Sequence, residues 1–352
     1  MCDNKSNSSN VREGILVGCG NPLLDISATV PMHFLERYGM KEDDAILAEE
    51  RHMPIYRELA EDYQAEYLAG GSVQNSLRIA QWIIGQTNVA VFFGCVGKDK
   101  FADILREKAR AAGVDAHYQV SEDTPTGTCA VLITGTHRSL CANLAAANKF
   151  TIEHLEEPAN RDRIENALYY YISGFFLTVN PPSIMRVAAT AHAKQRPFLM
   201  NLSAPFISQY FMTPLLDVMP YVDIIFGNEA EAHAFATAQG WPADGDLREI
   251  GKRLVALDKL NSERPRIAIL TQGCDPVLLI QHDSVQEFPV TRLAVDEIVD
   301  TNGAGDAFVG GFLSQFVQGK SLDVCIRCGN YAAGHIIKNP GCTYSGSPEF
   351  VE

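Results

Sequence analysis

Residues 300–313 read DTNGAGDAFVGGFL. The apolar-striped run AFVGGFLSQFVQG that completes this stretch predicts a helix ending at Gly319, and EIV at 297–299 reads as a short strand ahead of it. Gly303 and Gly305 let the backbone turn tightly and approach a ligand with no Cβ in the way. At such a helix start the amides of Gly303, Ala304 and Gly305 lack intrahelical acceptors and sit at the positive end of the helix dipole, so the turn predicts an anion hole. A plainer reading makes Asp300 or Asn302 an N-cap and the glycines packing devices. Asp306 tips the balance, because a carboxylate in the first helical turn beside a seat for phosphate is placed to act as a general base.

Working outward, short β-branched runs alternate with helix-period segments. The runs are GILVGCG (14–20), NVAVFFGCVG (88–97), YYYISGF (169–175), RPFLMNL (196–202), YVDIIFGN (221–228) and RIAILTQG (266–273). Between them lie segments with apolar residues at three- and four-residue spacing, such as 72–84, 101–113, 182–194, 228–240 and 247–257. This alternation predicts an α/β fold with a central, mostly parallel sheet flanked by helices. Two stretches break the rhythm, 23–50 and 116–145, which read as strands without intervening helices joined by turns. They predict a small antiparallel β lid inserted into the α/β body. The polar start MCDNKSNSSN reads as a frayed tail over 1–12, leaving 13–352 as the folded unit.

Totals exclude several classes. With Lys+Arg 29 against Asp+Glu 43 the formal net charge is -14, and no basic stripe exists to follow a phosphate backbone, so nucleic acid is not an expected partner. An acidic chain binds an anion only by local means such as backbone amides, a placed arginine or a divalent metal. No run approaches the roughly 18 apolar residues of a membrane span, so no membrane partner is expected. Nine scattered cysteines suit reduced thiols. Cys325-x-x-Cys328 lies in a helical stretch with no second pair, which favours packing over zinc.

Two glycine patterns are decoys. GKS at 319–321 resembles the end of a phosphate-binding P-loop, but the position five before Gly319 is Ser314 and the segment leaves a helix. Gly18-Cys-Gly20-Asn-Pro22 follows a strand, yet Leu23 stands at the third glycine position of a dinucleotide fingerprint and Pro22 obstructs the helix it should open.

DTNGAGDAFVGGF, together with AGGSVQNS (69–76) and the N-x-x-E of Asn228 to Glu231, resembles the ribokinase-like (PfkB) family of sugar and nucleoside kinases. GNPLLDIS (20–27), TGTCAVLITGTHRSLCANLAAAN (126–148), GFFLTVNPPS (174–183), NLSAPFISQ (201–209) and MPYVDIIFGNE (219–229) look like its nucleoside-kinase branch. The resemblance runs from about Gly14 to Phe350. It implies a ribokinase-like fold and transfer of the ATP γ-phosphoryl group to the 5′-hydroxyl of adenosine, with Mg²⁺ as companion ion.

The roles that the resemblance implies fall on individual positions. Asp306 takes the acceptor proton, and Gly303, Ala304 and Gly305 stabilise the transferring phosphoryl group with help from Arg138, at the tip of the lid turn THRS. Asn228 and Glu231 position the metal, and Thr271, Gly273 and Gly305 lie at the nucleotide phosphates. Asp25, on a lid-edge strand, accepts from the ribose diol, with Asn21, Gly71, Ser72, Asn75 and Asn302 around the same sugar. Without the resemblance Asn75 reads as a solvated helix residue. Leu47, Cys129, Leu140, Ala142, Leu144 and Phe176 form the apolar wall for adenine, with Phe176 as the stacking ring. Ala45 replaces the glutamine of the family pattern and leaves the base-edge contacts open. Two rivals remain: a kinase for another nucleoside or a sugar, and a non-catalytic adenosine-binding protein. The expected state is a cytoplasmic monomer, with nuclear presence also allowed.

Overall fold

The β-branched runs form strands because helices cover both faces of the sheet they build. The computed structural model describes residues 11–352 except 136, 243 and 244, so most of the tail expected at 1–12 lies outside the described residues. The strands are β1 (Leu16–Cys19), β2 (Leu23–Thr29), β3 (Ala45–Leu47), β4 (Glu66–Gly70), β5 (Ala90–Gly97), β6 (Asp115–Ser121), β7 (Thr128–Thr134), β8 (His137–Asn143), β9 (Tyr169–Ser173), β10 (Phe198–Asn201), β11 (Ile224–Asn228), β12 (Ile267–Gln272), β13 (Asp275–Gln281) and β14 (Ser284–Phe288).

Nine of them make one sheet in the order β14-β13-β12-β11-β10-β9-β1-β5-β6. From β12 to β6 every pairing is parallel, while β13 and β14 add an antiparallel edge. All six β-branched runs lie in the parallel part. Strand β1 has β5 on one side and β9 on the other, which makes its carboxyl end the topological switch point where such sheets bind ligands. Large side chains fill both faces. Phe93, Tyr170, Phe176, Phe198 and Phe235 belong to one core, Phe92, Tyr171, Phe226 and Phe312 to the other, and all are fully buried. Truncating any of these rings to alanine should cost about 3–5 kcal/mol.

The glycine-rich turn opens the helix Ala304–Phe316, whose Phe312 meets Phe226 edge-on with ring centroids 5.1 Å apart. The EIV segment before it is not a strand: a single 3-10 turn, Val295–Glu297, interrupts otherwise irregular chain.

The second sheet runs β3-β8-β7-β2-β4. Antiparallel β2–β4 and β7–β8 pairs are joined by parallel β2–β7 and β3–β8 pairs. Its make-up departs from the sequence reading at three points. AHYQV forms β6, which pairs with β5 in the large sheet instead of the small one. The stretch 23–50 contains the helix Met32–Arg37, and the sheet takes in β4, beyond that stretch. Strand β2 lies between β7 and β4, so Asp25 is on an interior strand and not at the lid edge.

Candidate active site

A cavity of about 320 Å³ opens between the carboxyl ends of the parallel strands and the small sheet. Asn21 follows β1, Ser173 ends β9, Ser203 follows β10, and residues 301–306 close the cavity from the glycine-rich turn. The small sheet contributes Asp25, Leu47, Cys129, Arg138, Leu140 and Ala142, with Leu144 just beyond it. Side chains from opposite ends of the sequence thus share one chamber.

Asp306 lies in the first turn of its helix. The Ser72 hydroxyl donates to Oδ1 at 2.6 Å, and the Asn75 amide donates to Oδ2 at 3.0 Å. Both donors belong to the first turn of the helix Ser72–Ile84, where Asn75 is 4% exposed and not solvated. Gly71 sets that helix start: its φ is +94°, and a Cβ there would stand 2.4 Å from the Asn21 carbonyl oxygen. Burial pushes the Asp306 carboxyl up to about 6, partly offset by the Ser72 and Asn75 hydrogen bonds. Such a group is ionised at neutral pH yet basic enough to accept a proton.

The two glycines of the turn have different reasons to be there. Gly303 has φ +78°, and a Cβ would fall 2.8 Å from the Cys342 Cβ, so it serves both conformation and packing. Around Gly305 a Cβ would meet nothing within 4 Å, so packing gives no reason for it. Ala304 spends its amide on the Thr301 carbonyl at 3.2 Å, unlike the expectation that it would be free. Among the described residues the amides of Gly303, Gly305 and Asp306 have no protein acceptor, so three open amides, not the expected set with Ala304, stand at this helix start.

At the far side of the chamber Asp25 is 8% exposed, and among the described residues no donor reaches its carboxylate. Burial first, and then the Asp306 charge, raise it to about 8 against the opposing charge of Arg78. Asn21 donates to the Phe175 carbonyl at 3.2 Å, while its own buried Oδ1 is unpartnered. A bare carboxylate and an orphan carbonyl oxygen in one apolar-walled cavity call for a ligand that donates hydrogen bonds.

The matched family model is described as pfkB family carbohydrate kinase and covers residues 32–349. The chain belongs to the PfkB family. It is 47% identical to "Adenosine kinase 1" of Arabidopsis thaliana over 96% of this chain and 98% of that one. Anopheles gambiae adenosine kinase, solved in complex with P1,P4-di(adenosine-5) tetraphosphate, superposes with a TM-score of 0.94 at 58% identity over 96% of this chain and 100% of that one. Adenosine kinase from Schistosoma mansoni, solved in complex with adenosine in an occluded loop conformation, superposes with a TM-score of 0.91 at 32% identity over 96% and 98% of the two chains.

Not every position picked out by the PfkB motifs lines this chamber. Phe176 is fully buried in the core, edge-on to Phe150 at 5.3 Å, and its neighbour Phe175 faces the cavity with Phe206. Asn228 and Glu231 form the capping box of the helix Glu229–Ala238: Asn228 Oδ1 accepts from the Glu231 amide at 2.9 Å, and Glu231 Oε2 accepts from the Asn228 amide at 3.0 Å. Burial, with a smaller push from Asp306, raises Glu231 to about 7 against the backbone hydrogen bonds it accepts. Thr271 pairs in register with Asn228 at the ends of β12 and β11, and Gly273 turns the chain just beyond. These four positions neighbour the chamber at the sheet's carboxyl end without lining it.

Arg138 belongs to β8 and not to a turn tip, and it does not lie free. Its Nε donates to Asp300 Oδ1 at 2.8 Å, and Nη2 donates to the Val299 carbonyl at 2.7 Å. Asp300, 2% exposed, also accepts from the Asn302 amide at 2.8 Å and the Gly341 amide at 2.8 Å. The first residue of the motif therefore ties together the glycine-rich turn, the small sheet and the segment after the last helix. Sequence reading offers Asp300 only as an N-cap and passes over Phe175, Phe206, Ser173 and Ser203, for which no local pattern signals exposure to a cavity.

Proposed function

We propose that this chamber transfers the γ-phosphoryl group of ATP to the 5′-hydroxyl of adenosine, giving AMP and ADP. The carrying observation is that Asp306, held by Ser72 and Asn75, shares one cavity with open amides at a helix start and with the unpartnered carboxylate of Asp25. The adenosine-bound and dinucleotide-bound relatives support the choice of acceptor.

Adenosine enters with its base against Leu47, Cys129, Leu140, Ala142 and Leu144 on one side and Phe175 on the other, an apolar slot that suits a purine better than a bare sugar. Asp25 accepts the ribose hydroxyls, and Asn21 with the Gly71 backbone closes around the same ring. The 5′-hydroxyl gives its proton to Asp306 as O5′ bonds to the γ-phosphorus. The bond from that phosphorus to the β,γ-bridging oxygen breaks, and ADP departs. The amides of Gly303, Gly305 and Asp306 stabilise charge on the phosphoryl oxygens, which is the main work a protein does in phosphoryl transfer. Arg138 adds a positive charge from the small sheet when it exchanges Asp300 for phosphate.

Mg²⁺ fits the donor set beside this centre. Among the described residues no cluster of three or more metal-binding side chains exists, so an ion comes with the nucleotide. Glu231, on the helix that Asn228 caps, is the carboxylate that would hold it, through water. The ion supplies charge neutralisation at the phosphates when bound. Thr271 and Gly273 border the ATP phosphates.

The eight cysteines that the structure describes are free thiols, seven of them buried, in keeping with work in a reducing compartment such as the cytoplasm. Incubation with MgATP and adenosine, guanosine, inosine, ribose or fructose, followed by ADP release, is the test. Turnover fastest with adenosine is expected. Preference for ribose or fructose would make this a sugar kinase, and binding of adenosine without turnover would make it a binding protein.

A further inference from the structure

We propose that Arg78 is a positioning residue for the base, turning the Asn75 carboxamide so that its amino group faces Asp306. Arg78 sits one turn after Asn75 on the helix Ser72–Ile84 and is 8% exposed. Its Nη1 donates to Asn75 Oδ1 at 3.3 Å and to the Ala69 carbonyl at 3.2 Å. An amide side chain carries an acceptor and a donor on opposite branches. Were Asn75 flipped, its oxygen would face the Asp306 carboxylate, acceptor against acceptor, and the 3.0 Å bond to Oδ2 would become repulsive. A guanidinium has donors only, so by claiming the oxygen it leaves the amino group for Asp306.

The arginine is itself held in place. The Tyr344 ring lies 6.0 Å from its guanidinium carbon, and the Tyr344 hydroxyl donates to the Arg78 carbonyl at 3.4 Å. Its bond to Ala69 anchors the segment that leads into Gly71, so the acceptor end of the cavity and the base share one support. Its Nε is buried with no partner among the described residues. Arg78 does not line the cavity. It acts on the base through Asn75, while its charge also opposes the raised proton affinity of Asp25, an effect to be read in adenosine binding and not in kcat.

This inference rests on Asp306 being the general base, and the experiment separates the two. Steady-state kcat is compared among wild type, D306N, N75A, R78M, R78K and the double variant N75A/R78M, with thermal melts confirming that each is folded. R78M should lower kcat roughly ten- to hundred-fold, the scale of losing a supporting residue behind a reacting group. R78K, which keeps a charged donor, should recover most of that loss. Because Arg78 works through Asn75, the double variant should fall no further than the worse single variant. Losses that multiply in the double variant, or R78M with unchanged kcat, would overturn the proposal. Should R78M not fold, R78A takes its place: folded with unchanged kcat, it overturns the proposal, and folded with kcat lowered about ten-fold or more and rescued by R78K, it upholds it. D306N with full turnover would instead remove the base assignment beneath it.

Discussion

Half-buried Asp306 and buried Asp25 are carboxyls in one cavity, and their surroundings give them different work. Asp306 has two hydrogen-bond donors and is raised only to about 6, so at pH 7 it is ionised and able to take a proton. Replacing it with asparagine should cut kcat about 10²- to 10⁴-fold while adenosine binding persists. In the wild-type protein kcat should fall below pH about 6 as the base protonates, and a rate that stays flat down to pH 5 would contradict the role. Among the described residues Asp25 has no donor, and burial, with the Asp306 charge, raises it to about 8. Its folded-state proton affinity exceeds that of the unfolded chain, so the stability it contributes is complete at low pH and is lost as pH rises through about 8. Asp25→Asn should therefore raise the melting temperature of the ligand-free protein at pH 8 by about 2–4 °C, with a smaller gain at pH 6, and should weaken adenosine binding. A variant that melts lower at pH 8 would show Asp25 to be a structural acceptor instead of a binding group kept at a cost in stability.

The glycine-rich turn and the small sheet are where local pattern and tertiary context part company. Gly303 and Gly305 look alike in sequence, yet the first is bound by its φ and by Cys342 while the second faces empty space. Gly305→Ala should leave the melting temperature unchanged or slightly higher, since alanine is the better helix former, and should lower kcat about 10²- to 10³-fold by placing a methyl group where the phosphoryl oxygens must lie. Lost stability with retained turnover would mean that the turn does not receive phosphate. The parallel strands were legible because their β-branched runs are buried on both faces, as in LVGC at β1. AHYQV was not legible as part of the large sheet because β6 is its half-buried edge, and a mixed apolar and polar edge strand looks the same in either sheet. Phe175 and Phe176 differ by one position, and only the 3-10 turn Gly174–Thr178 decides which ring enters the core. Arg78 and Asn75 lie in a helix stretch buried from Val73 to Gln81, where no polar face exists to mark residues that work on a neighbour.

At the scale of the whole molecule, the motifs located the chemistry because the glycine-rich turn, AGGS and the start of β2 converge on one point, the carboxyl end of β1. What they left out are the ties between bodies. Arg138 of the small sheet and Gly341 of the C-terminal segment both end on Asp300, so closure of the sheet and the shape of the turn are coupled through one buried carboxylate. The proposed phosphate seat is local, made of amides and one arginine, in a chain whose formal net charge is -14. These two scales oppose each other during approach of an anion. At a distance, out to about a Debye length, the acidic surface repels ATP, whereas at contact the open amides and helix dipole attract it, and salt screens the first far more than the second. Raising ionic strength from about 0.01 M to 0.1 M shortens the screening length from about 30 Å to about 10 Å, leaving the short-range attraction nearly intact. The KM for MgATP should accordingly fall across that range, while the KM for uncharged adenosine stays level. Because both values come from one enzyme in one buffer series, adenosine serves as the internal control for any general effect of salt on folding. A KM for MgATP that rises with salt would mean that the field reaching into solvent from the cleft is already attractive, and that the acidic surface does not govern how the nucleotide arrives.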